Sequence, residues 1–394
     1  MNIILFDDSR RDNLRPLTLM RPVADIRFGI LTIREKWEHY FGVLTSTLTE
    51  PYLSKKYPVV KKPDNILING AVCPTDELAT AIKALKPNQA LVRKENILAM
   101  RLTEEALHNG SDSFRQSVEE IETSVDYLEI QNTWDIFALN DKAILDDFRL
   151  LTRGRTSQKL SDTNRSAGGE IFIEEGAVVE FATLNATTGP IYIGKHAEIM
   201  EGALLRGPLA ICEHATVKMG AKIYGATTIG PHSKVGGEVN NSVIFGYSNK
   251  AHDGFLGNSV IAEWCNIGAD TNVSNLKNTY ESVRIWNYPG QTFVDTGLQF
   301  CGMIMGDHSK CGINTMFNTG SVVGVNCNIF GAGYQRNFIS SFQWGGTNGF
   351  ANYDLKRAFK VAETVYKRRD LEFSEVDKEI FETVFNLTFK YRNL

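Results

Sequence analysis

The fold of this chain is decided by residues 191–236, which read IYIGKHAEIMEGALLRGPLAICEHATVKMGAKIYGATTIGPHSKVG. An aliphatic residue recurs at every sixth position of this stretch. The eight positions are Ile193, Ile199, Leu205, Ile211, Val217, Ile223, Ile229 and Val235. A helix would repeat every three to four residues and a half-buried strand every two, so neither explains a strict period of six.

A period of six is typical of a parallel β-helix, in which each unit supplies one short strand and a tight turn. Three units close one triangular coil, and the aliphatic residues of successive coils stack into a continuous core. The pattern shifts after Val235 and resumes as Val243, Phe255 and Ile261, with Asn249 as a polar exception. Residues 276–297 interrupt it and predict a loop excursion, so the whole repeat covers about 168–332.

The residues before the repeat predict an α/β domain. Four short apolar segments predict buried strands, at 3–6, 66–68, 90–92 and 97–100. Helical patterns at 31–40 and 76–85 alternate with them, which indicates a three-layer α/β domain with a parallel sheet in the middle. A further helix is predicted over 134–151, leading out of this domain.

The residues after the repeat predict two helices, the second capped by Ser374 and Asp377. We expect this pair to cover the open end of the β-helix. The predicted organisation is therefore an α/β domain at 1–152, a linker at 153–167, a β-helix at 168–350 and a helical cap at 351–394.

Composition narrows the class of protein. The 394 residues carry a net charge of -4, which leaves no electrostatic footprint for nucleic acid or an anionic membrane. No apolar run approaches the roughly 20 residues of a spanning helix, and the N-terminus does not resemble a signal peptide. Six scattered cysteines without a CxxC pair favour reduced thiols, so the expected location is cytoplasmic.

One segment, AHDGFLGNSVIAEWCNIGADTNVSNLKN at 251–278, carries a specific resemblance. It is similar to the acetyltransferase stretch of the bifunctional N-acetylglucosamine-1-phosphate uridyltransferase/glucosamine-1-phosphate acetyltransferase family, approximately GHLTYLGDxxIGxxxNIGAGTITxNYDG. The resemblance implies a left-handed β-helix, a catalytic His252, and Asn266 and Asn275 close to the sugar. It also implies that Ala269 and Thr296 contact acetyl-CoA.

The chemistry of acetyl transfer suits these residues. A base must take the ammonium proton of the amine, and histidine has an unperturbed pKa of about 6.5 that fits this role. The family's phosphate-binding arginine falls near Gly236, so the phosphate requires other cations, such as Lys234, Lys250 or Lys277. The alternative is that His252 merely lies in a solvent-facing turn.

The N-terminal segment FDDSRRDNLRPLTLMRPVADIRFG at 6–29 resembles the signature of sugar nucleotidyltransferases, roughly GxGTRLxPLTxxxPK. Its Pro-Leu-Thr keeps the family's spacing, whereas the glycines are absent and the signature Arg and Lys are Asn13 and Val23. Five arginines could bind the nucleotide phosphates instead, or form a passive surface. They are Arg10, Arg11, Arg15, Arg21 and Arg27.

The family's metal-binding aspartate is also missing, since its Gly-Asp-Val-Pro is replaced by residues 69–74 of the sequence NGAVCP. The metal ligands are therefore unknown, unless Asp7, Asp8 or Asp76 contributes. The family's Rossmann-like transferase domain would use Mg²⁺ to transfer the nucleotidyl group.

Three functions follow from these patterns. The first is a bifunctional enzyme that joins UTP or another NTP to a sugar 1-phosphate and acetylates the amino sugar with acetyl-CoA, within nucleotide sugar biosynthesis for the cell envelope. The second keeps only the acyltransferase and a degenerate N-terminal domain. The third is a non-catalytic scaffold. The resemblance also implies a homotrimer with its acyl-CoA sites between neighbouring β-helices.

Overall fold

The computed structural model describes residues 2–108 and 118–392. The chain forms two compact units. The first consists of Met1–Leu14, Met20–Ile26 and Leu31–Gln131, and the second of Arg15–Leu19, Arg27–Ile30 and Asn132–Leu394. The division falls at Gln131, earlier in the chain than the predicted boundary at 152.

The first unit is built on a mixed sheet with the order β2-β1-β3-β5-β4-β6. Its strands are β1 (Asn2–Phe6), β2 (Ser46–Leu48), β3 (Asp64–Asn69), β4 (Gln89–Arg93), β5 (Asn96–Thr103) and β6 (Glu119–Glu122). The predicted strands are all present. The prediction of a parallel sheet was wrong in one part, because β5 runs antiparallel to both β3 and β4. Only two residues join β4 to β5, which is too short for a parallel crossover.

The first unit contains four α-helices within the described residues, and two of them begin at a capping residue. The four helices are α1 (Arg10–Asn13), α2 (Ile33–Phe41), α3 (Asp76–Lys83) and α4 (Glu104–His108). Thr32 and Glu35 form a capping box at the start of α2, and Thr75 caps α3. The helices predicted at 31–40 and 76–85 are confirmed.

The second unit contains the predicted parallel β-helix, whose three faces we number in chain order. The first face has the strands Arg165–Gly168, Thr183–Ala186, Leu204–Arg206, Lys222–Tyr224, Glu238–Asn240, Phe255–Gly257, Asn272–Val273 and Met316–Phe317. The second has Ile171–Ile173, Ile191–Ile193, Leu209–Ile211, Thr227–Ile229, Val243–Ile244, Val260–Ile261, Met303–Met305, Ser321–Val323 and Phe338–Ile339. The third has Val178–Val179, Glu198–Ile199, Thr216–Val217, Lys234–Val235, Asn249–Lys250, Asn266–Ile267, Lys310–Cys311, Asn328–Ile329, Gln343–Gly346 and the antiparallel Gly349–Asn352.

The repeated aliphatic residues form the core of the β-helix. All eight positions from Ile193 to Val235 are buried in one continuous cluster. Beyond Val235 the predicted register was off by one residue at two positions, since Ile244 and Leu256 join the cluster rather than Val243 and Phe255, whereas Ile261 is in the cluster as predicted. The intervals there shorten to four and five residues, because turns at the corners lose residues. Lys250 pairs with Val235 and is only 2% exposed.

The predicted loop excursion is a β-hairpin, Arg284–Asn287 with Thr292–Asp295. It leaves the corner between the first and second faces. The coils on either side of it still pair directly, because Val260–Ile261 aligns with Ile304–Met305. The predicted interruption at 276–297 is confirmed.

A ladder of rings occupies the corner between the second and third faces. Its members lie in successive coils and adopt positive φ angles of 54–62°. They are His196, His214, His232, Tyr247, Trp264 and His308, with centroids 4.2–6.1 Å apart. We call this set the aromatic ladder.

The remaining helices of the second unit pack on the sides of the β-helix. The segment predicted as one helix at 134–151 forms α5 (Asp135–Ala138) and α6 (Asn140–Thr152). Ile144 and Phe148 of α6 pack on Phe172 and Tyr192, which point outward from the second face. This packing explains why these helices belong to the second unit and not to the first.

The C-terminal helices are α7 (Leu355–Lys367) and α8 (Glu375–Leu387). The capping box of Ser374 and Asp377 is confirmed. The helices pack along the aromatic ladder: Tyr366 stacks on Trp264 at 4.2 Å, and Phe381 contacts His308. The pair therefore lies beside the last coils, and Phe350 of the final strand packs against the end of the core.

Candidate functional site

His252 lies at the corner between the third and first faces, in the turn that follows Asn249–Lys250. Its side chain is exposed. Its carbonyl accepts a hydrogen bond of 2.8 Å from Lys250 Nζ, which also donates to the carbonyl of Gly236 at 3.1 Å. Burial lowers the pKa of Lys250 to about 8. Lys250 thus holds the turn from inside, and its burial does not favour the predicted contact with substrate.

Asn266 and Ala269 follow one coil later. Asn266 points outward from the third face, in register with Asn249 and Lys310, and is exposed. Ala269 lies at the same corner as His252, and its carbonyl accepts a hydrogen bond of 2.8 Å from the amide of Asn314. These two predicted residues therefore share the side of the β-helix that carries His252.

The other predicted residues lie at the corner between the first and second faces. Asn275 Nδ2 donates to Asn258 Oδ1 at 2.8 Å, and Lys277 Nζ donates to the carbonyl of Ser282 at 2.7 Å. Thr296, beside the hairpin, donates its hydroxyl to the carbonyl of Val283. The strands of the first face separate this group from His252, so one copy of the chain does not bring the predicted residues together.

Two cavities flank these residues. The basic pocket, of about 490 Å³, lies between the third face and α7 and is lined by Lys234, Asn249, Asn266, Lys310, Arg368 and Arg369 among others. Ala251, the neighbour of His252, also lines it. The hairpin pocket, of about 730 Å³, includes Lys277, Arg284 and Asn318. Sequence analysis missed the lysines and arginines of these pockets apart from Lys234 and Lys277.

The predicted phosphate-binding arginines of the first unit are engaged within the protein. Arg10 Nε donates to Asp8 at 2.8 Å, and its Nη1 donates to Glu129 at 2.6 Å. Arg11 is 3% exposed and donates to Asp7 at 2.7 Å. Arg21 is also buried.

The two remaining arginines belong to the second unit. Arg27 is buried and donates to the carbonyl of Ile30 and to Cys212 Sγ. Arg15 is half-buried. Burial raises the pKa of the Tyr288 hydroxyl, and the positive charge of Arg15 opposes this shift. The phosphate-binding roles of Arg15 and Arg27 stay predictions. The burial of Arg27 does not favour such a role for that residue.

Comparison with known proteins identifies the N-terminal part of the chain. Residues 3–156 match the family model described as sugar nucleotidyl transferase. This part of the chain is therefore similar to sugar nucleotidyl transferase domains. The resemblance drawn from the Pro-Leu-Thr spacing is thereby confirmed.

One relative aligns across both parts of the chain. The bifunctional protein GlmU of Methanocaldococcus jannaschii is 27% identical over 336 residues, which span 76% of this chain and 72% of the relative. A bifunctional sugar-1-phosphate nucleotidylyltransferase/acetyltransferase of Sulfurisphaera tokodaii is 34% identical over 100 residues, 25% of this chain and 24% of the relative. A UDP-N-acetylglucosamine acyltransferase structure from Bacteroides fragilis aligns with 59% of this chain at 16% identity and a TM-score of 0.25, covering 84% of that chain. A TM-score of that size supports no inference.

In the N-terminal part of the chain, the candidate metal ligands Asp7 and Asp8 already accept hydrogen bonds from arginines. Burial raises the pKa of Asp7, whose carboxylate accepts hydrogen bonds from Arg11, Thr49 and the amide of Val23. Despite its own partial burial, Asp8 has a lowered pKa because Arg10 donates to it and carries an opposite charge. Across residues 2–108 and 118–392, no three His, Cys, Asp or Glu side chains are grouped to hold a metal ion. Mg²⁺ is usually held by one or two carboxylates together with water and phosphate oxygens, so its part in nucleotidyl transfer stays a prediction.

The helices of the described chain are short or polar, and none has both the length and the apolar character needed to cross a bilayer. This agrees with the absence of a long apolar run in the sequence.

Proposed function

We propose that the protein is a bifunctional transferase. Its N-terminal domain would transfer a nucleotidyl group from UTP or another NTP to a sugar 1-phosphate, and its β-helix would transfer acetyl from acetyl-CoA to the amino group of the sugar. The observation that carries this proposal is a relative named as bifunctional that aligns over 76% of the chain, across both parts.

In the acetyl-transfer step, the base would be His252. Its imidazole takes a proton from the ammonium group, and the free amine attacks the thioester carbonyl. The carbon–sulfur bond then breaks, and the departing thiolate takes up the proton held by the imidazole. The attacking nitrogen loses its second proton to solvent, so that an amide, a thiol and one released proton result. This role requires an accessible ring, which the exposure of His252 provides.

The division of the predicted residues supports a site shared between copies of the chain. His252 and Asn275 lie at two different corners of the first face, so they can meet only if one copy contributes each. The corner that carries His252 also exposes four large apolar side chains in separate coils, each 44–71% accessible. They are Phe181, Met219, Ile313 and Phe330. Exposed apolar side chains along one corner are suited to burial against another copy, which supports the proposed homotrimer.

The experiment measures both activities on the purified protein. Acetylation is followed as thiol release from acetyl-CoA with glucosamine 1-phosphate, and nucleotidyl transfer as pyrophosphate release from UTP with N-acetylglucosamine 1-phosphate and Mg²⁺. Both signals are expected. Absence of both would overturn the proposal and leave a scaffold.

Variants test the residues. His252→Ala should lower acetylation by about 10²- to 10⁴-fold and leave pyrophosphate release unchanged. His196→Ala, an exposed histidine at another corner, is the matched control and should retain acetylation. Mixing inactive His252→Ala and Asn275→Ala subunits should recover about a quarter of wild-type activity if sites are shared in a closed ring. No recovery after subunit exchange would place the site within one chain.

One observation favours a second candidate, a monofunctional acetyltransferase. Arg10 and Arg11 are already held by Asp8, Glu129 and Asp7 and would have to exchange these partners for phosphate. Acetylation without pyrophosphate release would establish this candidate. If pyrophosphate is released, Arg15→Lys should reduce its rate, because lysine lacks the bidentate fork, and acetylation should be unaffected.

A further inference from the structure

The third face carries a column of four polar side chains opposite α7. Lys234, Asn249, Asn266 and Lys310 lie in register on four successive strands. Neighbouring strands are about 4.8 Å apart, so the column is roughly 14 Å long. All four residues line the basic pocket.

The pocket concentrates positive charge. Lys234 and Lys310 face it from the strands, and Arg368 and Arg369 from the end of α7. Within the described part of the chain, none of these four cations forms a salt bridge, and no carboxylate is among the residues that line the pocket. The two arginines complement the helix dipole at the end of α7, but this does not account for the two lysines on the strands.

Two of the four cations are held in place by main-chain contacts. Lys310 Nζ donates to the carbonyl of His308 at 2.8 Å, and Arg369 Nη2 donates to the carbonyl of His232 at 3.1 Å. Each still has further N–H groups to offer, because an ammonium has three donors and a guanidinium five. The pocket is therefore preorganised for an anion.

The rest of the pocket suits a larger molecule than a single phosphate. Asn249 Oδ1 is buried and accepts no hydrogen bond within the described residues, so it could accept one from a hydroxyl or amide of a ligand. Val365 and Trp264 add an apolar wall. A volume of about 490 Å³ lies within the range of small-molecule sites, roughly 300–1,000 Å³.

We propose that the basic pocket binds the diphosphate of a nucleotide. Cations of the pocket contact the diphosphate oxygens, and Asn249 contacts a hydroxyl or amide of the attached group. Two molecules carry this chemistry in the proposed reactions, coenzyme A and a nucleotide sugar. The inference concerns binding alone and does not depend on His252 as a base.

The test is calorimetric titration of the full-length protein with inorganic pyrophosphate, coenzyme A and UDP-N-acetylglucosamine. Lys234→Glu and Arg368→Glu change exposed side chains that leave the core intact. Each should weaken binding of the diphosphate ligand by about 10- to 100-fold, since it removes one charge-assisted contact and adds a repulsion. The tighter of the two organic probes identifies the source of the diphosphate.

Two charge reversals outside the pocket serve as controls. Lys360 lies on α7, and Lys222 points outward from the first face. Neither Lys360→Glu nor Lys222→Glu should alter binding of the probes. Binding of all three probes that is insensitive to Lys234→Glu and Arg368→Glu would overturn the inference, as would the absence of binding. Insensitivity to the two substitutions leaves the acetylation assay and the His252→Ala test unaffected, so the two proposals can fail separately.

Discussion

The contact between Trp264 and Tyr366 is predicted to fasten α7 to the β-helix. Trp264 is 5% exposed and stacks between Tyr247 and Tyr366, with both centroid distances 4.2 Å. Tyr366 is the residue by which α7 joins the aromatic ladder. Replacing either ring by alanine removes this contact, and replacing both in a double-mutant cycle isolates its free energy.

The magnitude follows from the geometry. Truncation of a buried tryptophan costs about 3–5 kcal/mol, which combines lost burial and the cavity left behind. Stacking between two aromatic rings contributes about 0.5–1.5 kcal/mol beyond burial. We therefore expect Trp264→Ala to destabilise the docking of α7 strongly, and the two substitutions to be non-additive by about 0.5–1.5 kcal/mol.

Hydrogen exchange of the α7 amides measures this docking, because the helix can detach without unfolding the β-helix. Protection in α7 should fall in both single variants, whereas the amides of Ile191–Ile193 keep theirs. Tyr280→Ala removes a tyrosine that is 68% exposed in the excursion and is the control. Additive effects of the two substitutions, or unchanged α7 protection, would refute the assignment.

Three further predictions concern pH and local structure. Burial, and next the charge of His214, lower the pKa of His232, so the unfolded chain binds the proton more readily than the folded chain. The folded state therefore keeps its full stability above about pH 6.5 and loses stability as the pH falls below that value. Thermal denaturation between pH 7 and pH 5 measures this loss. Ser374→Ala removes the capping box of α8 and should cost about 1 kcal/mol, measured by the same α7 and α8 exchange experiment. Gly254→Ala should destabilise the β-helix, because Gly254 has a φ of +112° and an added Cβ would lie 2.1 Å from the carbonyl oxygen of Thr271. Denaturant titration measures the loss, and a variant as stable as the wild type would contradict the described turn.

The β-helix could be predicted because its stacking repeats in sequence. Each inward residue from Ile193 to Val235 meets its counterpart about three units later, so a single period specifies the whole core. The prediction lost its register where the units shorten and where Lys250, which bonds to two carbonyls, takes a core position. A polar residue in an aliphatic column hides the pattern that would reveal it.

The positions of the helices and the basic pocket could not be predicted in the same way. Arg368 lies more than fifty residues beyond Lys310 in the chain, and only packing on the aromatic ladder brings them to one pocket. A signal was nevertheless present, since His196, His214 and His232 recur every eighteen residues, once per coil. Read together, these histidines would have indicated a ladder along one corner.

The hairpin excursion has a consequence for how such a chain can change. Its two ends meet at the corner, where Leu276 pairs with Phe300 and the amide of Cys301 donates to the carbonyl of Asn275 at 2.8 Å. The coil closes beneath it as though the excursion were absent, and the entropy of closing a longer loop grows only slowly with length. The segment can therefore be exchanged as a cassette while every stacked layer of the interior stays as it is.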